Sequence, residues 1–351
     1  MLRSLLLYYF VVDPPGGGAQ NLSIMIRVLK PVIPVFLGVF LLSIQANAAP
    51  DSGRGVQIIK LPDRLRIEIN GQLFTEYHYK NVARPYFYPV LGPGQLPVTR
   101  NWPMKKTFAD ESHDHPHQKS MWFAHGSIDG HDFWSEEKGY GKTVHDRFTD
   151  IESGPKMGLF KEHNEWIASD GTLVCTDDRT IRIYNPGTKP ERILDFAITL
   201  HALDSDLTFG DTKEGTMAIR VAPTIRLKGK VGQGHIINSE GVRDGQTWGK
   251  RADWCDYYGP VDGKIVGIAI FDDPRNIRHP TWWHVRDYGL FAANPFGEHQ
   301  FEHLKDKTIG NYVVPAGKSL TLRYRFYFHR GNADQARVGE TYQQYVESIS
   351  R

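Results

Sequence analysis

Short runs of alternating apolar and polar residues, closed by Gly, Pro, Asn or Asp, recur along most of the chain. Leu65, Ile67 and Ile69 alternate with Arg66 and Glu68, the two-residue period of a strand with one buried face. Asn70-Gly71 follows, and both residues tolerate positive φ, so a tight turn and a returning strand over Leu73–Tyr79 are predicted. Further strands are predicted over Tyr86–Leu91, Thr180–Tyr184, Ile193–Leu200, Met217–Val221, Thr224–Lys228, Ile265–Phe271, Tyr288–Ala292 and Leu320–His329. In the last, Leu320, Leu322, Tyr324, Phe326 and Phe328 take one face, and Thr321, Arg323, Arg325, Tyr327 and His329 the other. One helix stands out, Ala333–Ile349, with Val338, Tyr342, Tyr345, Val346 and Ile349 near helical spacing and Asn332 placed to cap it. Many strands without alternating helices point away from a parallel α/β sheet. The expected fold is all-β: a large antiparallel β-sandwich, supersandwich-like, over residues 49–331, with a C-terminal helix (332–351) packed on it.

The amino terminus has a different pattern. Met25 reads as the start of the protein, followed by the positive charges of Arg27 and Lys30, an apolar core over Pro31–Ile44 and the small-residue signal Ala46-Asn47-Ala48. This is the layout of a secretory signal peptide cut after Ala48, so residues 1–48 are expected to be a misassigned start plus leader, and the mature chain periplasmic or secreted. The apolar core falls short of the roughly 20 residues that span a bilayer, so no stable membrane span is expected after cleavage. Removing residues 1–48 leaves 39 basic and 39 acidic residues. A neutral surface without basic runs argues against nucleic acid as a partner. Cys175 and Cys255 are the only cysteines; export permits a disulfide, and two buried thiols fit equally well.

Chemistry concentrates in one stretch. Between Glu111 and Trp134 stand five of the chain's 15 histidines, in Asp114-His115-Pro116-His117 and Trp122-Phe123-Ala124-His125-Gly126 and at His113 and His131. Imidazole serves proton transfer near neutrality and is the commonest metal ligand. Pro116 cannot donate to a sheet ladder, which places His115 and His117 on a loop or strand end. Phe209-Gly210-Asp211-Thr212-Lys213-Glu214-Gly215 adds two carboxylates and an amine before a strand. Arg220 interrupts that apolar strand and needs an anionic partner if it points inward. His284 and Arg286 share a face by the two-residue period, and Asn294 before Pro295 should end a strand.

These motifs, with Trp248-Gly249-Lys250-Arg251-Ala252 and Ala292-Ala293-Asn294-Pro295-Phe296-Gly297, resemble an uncharacterised bacterial family often labelled "methane oxygenase PmoA" or simply a domain of unknown function, over about Arg84 to Arg330. The label implies methane oxidation by transmembrane helices, which no apolar run of the mature chain can supply. The resemblance more closely implies a galactose-mutarotase-like supersandwich, whose enzymes pair a histidine acid with a carboxylate base.

Three functions follow as expectations. The first is an exported carbohydrate-active enzyme of the epimerase, mutarotase, lyase or hydrolase type, needing no cofactor. In it His115, His117 or His125 would be the acid and Asp211 or Glu214 the base, with Trp122, Lys213, Arg251, His284 and Asn294 binding the sugar. The second is a metal-dependent protein holding zinc, copper, iron or calcium through Asp114, His115 and His117. The third is a non-catalytic sugar-binding envelope module with a shallow aromatic surface. The first requires the His stretch and the Asp211–Glu214 turn to meet in one cleft. The oligomeric state is left open.

Overall fold

The computed structural model describes residues 54–106 and 110–350, and the expected leader over 1–48 lies outside the described residues. Strands β1 (Val56–Lys60), β2 (Arg64–Ile69), β3 (Gln72–His78), β4 (Tyr86–Val90) and β5 (Met121–His125) follow one another as antiparallel neighbours. The β2–β3 turn is Asn70-Gly71, with φ of 52° and 74°, the pair of left-handed residues that matches strand twist in a two-residue hairpin. The chain then crosses to a second sheet for the long meander β6 (Lys142–Glu152), β7 (Met157–Ile167), β8 (Leu173–Tyr184) and β9 (Arg192–His201). A short β10 (Leu207–Phe209) leads to β11 (Gly215–Arg220), which returns to the first sheet beside β5.

From there β12 (His235–Asn238), β14 (Trp254–Val261) and β15 (Lys264–Asp272) belong to the second sheet, while β13 (Arg251–Ala252), β16 (Thr281–Val285) and β17 (Leu290–Asn294) belong to the first. A single-turn α1 (Glu298–Phe301) precedes β18 (Tyr312–Val314), which pairs with β10, and β19 (Ser319–Arg330), the centre of the second sheet. The first sheet has nine strands in the order β1-β2-β3-β4-β5-β11-β17-β16-β13. The second has eight in the order β12-β14-β15-β19-β9-β8-β7-β6. Every named pairing is antiparallel, so the all-β sandwich read from the pattern is the fold.

The inner faces meet through rings: Phe74 on β3 against Phe328 on β19 at 5.7 Å, and Phe123 on β5 against Phe196 on β9 at 6.1 Å. The predicted Leu320–Phe328 face is buried in this core. Helix α2 (Val338–Ile349) lays Val338, Tyr342 and Tyr345 on Ala269, Phe271 and Tyr327 of the second sheet's outer face.

Three expectations need correction. Thr224–Lys228 is a run of turns: the Ile225 and Arg226 amides both donate to the Ala222 carbonyl, and no strand pairs with them. The strand expected from Tyr288 begins at Leu290, because residues 286–289 form the β16–β17 turn, closed by Arg286 and Leu290. The C-terminal helix begins at Val338 rather than Ala333. Asn332 caps the preceding turn, accepting from the Gln335 amide at 2.9 Å, and Arg337 in left-handed conformation stands between that turn and the helix. Among the described residues no helix is long and apolar enough to cross a membrane.

Cys175 and Cys255 are buried and free, so of the two readings the thiols are the one present. Burial raises both thiols well above their ordinary value. A thiol titration without reductant is therefore expected to find no reactive group in the native protein and two in denaturant. Two silent residues in denaturant would indicate a disulfide.

Candidate functional site

The central strands of the first sheet are buried on both faces. On β5, Met121 and Phe123 point into the sandwich, whereas Trp122 and Ala124 point outward. On β11 and β17 the outward residues include Ala218 and Ala292, which face each other across the strand pair, and Arg220 and Leu290, the next such pair. The alanine side chains leave room above the sheet, and the 91–120 connection and three shorter loops fill its rim. Between them lies a cleft of about 570 Å³ lined by His115, His117, Gln118, Gly126, Asp132, Trp134, Ser135, Glu137, Lys213, Glu214, His284, Arg286 and Tyr288. The His stretch and the Lys213-Glu214 turn thus share one cavity.

Arg100 organises the long connection. Its buried guanidinium donates to the carbonyls of Asp114 at 2.8 Å, His115 at 3.0 Å and Gln118 at 3.2 Å, and to the Asp114 carboxylate at 2.7 Å. Arg220, buried on β11, adds bonds of 2.9 and 3.1 Å to the same carboxylate and one to the Gln118 side chain. The anionic partner anticipated for Arg220 is Asp114. Burial would raise the Asp114 carboxyl, but hydrogen bonding from His115 and the Arg220 charge hold it well below the usual carboxylate range. Burial, with the Arg220 charge beside it, lowers Arg100 to about 9, which leaves it protonated at neutral pH.

Asp114 in turn fixes His115. The Asp114 Oδ2 lies 2.9 Å from His115 Nδ1, and the imidazole stacks on Tyr288 at 5.1 Å with a 2° interplanar angle. His115 holds φ at 47°, in the left-handed region that turns use. The Arg220 guanidinium lies 4.6 Å from the Tyr288 ring centroid.

His117 and His284 complete the imidazole set. Burial first, then the charges of Arg84 and His115, lower His117 to about 4. Burial first, then Arg286 and Lys213, lower His284 to about 3, and its Nδ1 is buried without a hydrogen-bond partner. Both rings are neutral at pH 7. Opposite, Glu214 pairs with Lys213, and its backbone carbonyl accepts from the Gly126 amide at 2.7 Å. A Cβ on Gly126 would come within 2.8 Å of the Glu214 Cβ, so glycine here lets the turn close on the end of β5.

Besides Asp114, which lies behind His115, five expected residues are not in the cleft wall. His125 points into the sandwich, its Nε2 2.9 Å from the Gly210 carbonyl, and burial lowers it to about 4. Asp211 is buried at α1, accepting from the amides of His299 at 2.9 Å and Gly310 at 2.8 Å. Asn294 clasps the Thr212 carbonyl at 2.9 Å and the Phe296 amide at 2.9 Å, and so ends β17. Trp122 is 1 % exposed beneath the loops. Arg251 is an exposed residue bonded to the carbonyls of Pro280 and Arg278, with its guanidinium over Trp282. Lys213 and His284 do line the cleft.

The carboxylate of the expected metal set is engaged elsewhere. Asp114 spends both oxygens on Arg100, Arg220, Ser112 and His115, so it has none to offer a cation beside two guanidiniums. Among the described residues no group of three or more His, Cys, Asp or Glu is disposed to hold a metal ion. Sequence reasoning missed Arg100 and Gln118. Gln118 sits inside the singled-out stretch, whereas nothing around Arg100 marks it as the hub of the loop.

No curated protein matches the chain. Among solved structures, a galactose mutarotase related enzyme from Lactobacillus acidophilus is 9% identical and aligns over 78% of this chain and 97% of its own, with a TM-score of 0.25. The fold assignment therefore rests on the two sheets themselves. The model of the family of unknown function DUF6807 matches residues 64–343, and the chain belongs to that family.

Proposed function

We propose that the cleft carries out general acid–base chemistry on a carbohydrate, with His115 and Glu214 moving the protons. The observation that carries this reading is the sharing of one cavity by Glu214 and an imidazole anchored from behind by a carboxylate. Such an anchor favours the proton on Nδ1 and leaves Nε2 as the reactive nitrogen, as second partners do for working histidines in general. The clamp of Arg100 and Arg220 keeps Asp114 anionic whenever His115 takes a proton.

His117, expected as an acid, is better suited to another task. A ring neutral down to about pH 4 holds no proton to give at neutrality, so His117 and His284 act as hydrogen-bond partners for substrate hydroxyls. Lys213, Arg286, Gln118 and Ser135 add donors, a lining suited to a substrate rich in oxygen. Mutarotation, epimerisation, elimination and hydrolysis each need one proton removed and one returned, which two such groups supply. The Arg27–Ala48 leader pattern supports work outside the cytoplasm. Neither a metal nor methane oxidation has a part in this reading.

Purified protein incubated with a panel of reducing sugars and oligosaccharides, followed by NMR, is expected to speed anomeric exchange or convert at least one substrate. His115→Ala and Glu214→Gln should each lower kcat by about 10²–10⁴-fold, while Arg251→Gln, outside the cleft, leaves it unchanged. Saturable sugar binding without turnover would instead make the protein a binding module.

The buried histidines also set a pH dependence. In the unfolded chain His117 and His284 titrate near 6.5, in the fold at about 4 and about 3. Between those values the unfolded state binds more protons, so their contribution to stability is full above 6.5 and is lost as pH falls toward 4. His279 and His329, raised by Asp272 and Asp256 against burial, act with the opposite sign, so variants are compared rather than totals. The slope of denaturation midpoint against pH between 7 and 4.5 should flatten in His117→Gln and His284→Gln. Parallel slopes in all three proteins would rule out neutral rings in the cleft.

A further inference from the structure

A larger cavity, about 760 Å³, lies on the outer face of the second sheet beside α2. Arg182 of β8, Asp195 of β9 and Arg323 and Arg325 of β19 line it, with Asp273 and Tyr345 at the helix side. Four arginines stand there in all, counting Arg275, against two carboxylates.

Both carboxylates are already saturated. Asp195 accepts from Arg325 at 2.6 and 2.8 Å and from the Tyr184 hydroxyl at 2.7 Å. Asp273 accepts from the Arg275 side chain at 2.8 and 2.6 Å and from the Tyr345 hydroxyl at 2.6 Å. Arg325 is held between Tyr184 and Tyr345, 5.2 and 4.4 Å from their rings. This leaves Arg182 and Arg323. Among the described residues neither has a carboxylate within 4.0 Å, although Asp195 is the cross-strand neighbour of Arg182. The Arg323 backbone is fixed by Asn276 at 2.8 and 2.6 Å, so its side chain springs from a rigid base. Both side chains are half-buried. Partly buried arginines without a carboxylate partner, on the ordered strands that flank β9, leave the cavity with unbalanced positive charge that favours an oxyanion.

We propose that this cavity binds a small molecule bearing a carboxylate, phosphate or sulfate group, held by Arg182 and Arg323. The volume falls in the range of about 300–1,000 Å³ typical of ligand pockets, so the ligand is more than a bare ion. The site is on the other sheet from the acid–base cleft and is independent of it.

Calorimetric titration of the full chain at low ionic strength tests the assignment, with inorganic phosphate, inorganic sulfate, trigalacturonate and neutral galactotriose as probes. Saturable binding of at least one anion is expected, and the tightest shows whether carboxylate, phosphate or sulfate is the natural group; any galactotriose binding belongs to the acid–base cleft and should be the same in the Arg182→Gln/Arg323→Gln double variant. Arg182→Gln and Arg323→Gln should each weaken that anion about 10-fold or more, as loss of a charged hydrogen bond does. Arg251→Gln and His115→Ala should leave it unchanged. Heat that grows linearly with all three anions, or equal affinity in the Arg182→Gln/Arg323→Gln double variant, would overturn the proposal.

Discussion

The cleft depends on one carboxylate held by two buried arginines. Arg220 reaches Asp114 from a central strand of the first sheet, and Arg100 reaches it from the loop that carries the histidines. Two desolvated guanidiniums need counter-charge, and Asp114 is the carboxylate both of them contact. Remove it and two buried charges are left with neutral partners only, which weakens the hold of the loop on the sheet. The same bonds that stabilise the loop aim Asp114 at His115. The folding of the loop and the orientation of His115 are therefore coupled through a single side chain.

The sheet prepares the place where this happens. Alternation along β5 sends Phe123 into the sandwich and Ala124 out. Cross-strand pairing sets Ala218 against Ala292, with His284 also opposite Ala292 on β16. Small residues at adjoining outward positions make a floor on which loops can settle closely. The Gly126 contact sets how closely the Glu214 turn approaches the end of β5.

Much of the fold was legible in the two-residue period. Leu65–Ile69 with Asn70-Gly71, and Leu320–Phe328, stand as read because one face of each meets the core. Thr224–Lys228 failed because apolar Ile225 and Leu227 serve a packed turn rather than a strand, a distinction that five residues of pattern cannot make. At the site, the dense histidine stretch and the Lys213-Glu214 turn were visible as composition. Their meeting depends on β5 and β11 being neighbours, which follows from sheet order and not from local sequence. His125 shows the limit most clearly. It stands in the same motif as the cleft residues, but the strand's alternation turns it to the opposite face, beside Phe209 and Phe296. Asp211 and Asn294 were likewise polar residues in the right segments, spent on backbone amides and carbonyls. Arg100 left no trace in sequence, since its role depends on where five loop carbonyl and carboxylate oxygens converge.

The coupling of the arginine clamp to the reactive ring is tested most directly by ¹⁵N NMR of the His115 imidazole in the native protein and in Asp114→Asn. A proton fixed on Nδ1 is expected in the native protein and should give way to exchange between tautomers in the variant. An imidazole that averages both tautomers in the native protein, or that is unchanged by the substitution, would contradict it.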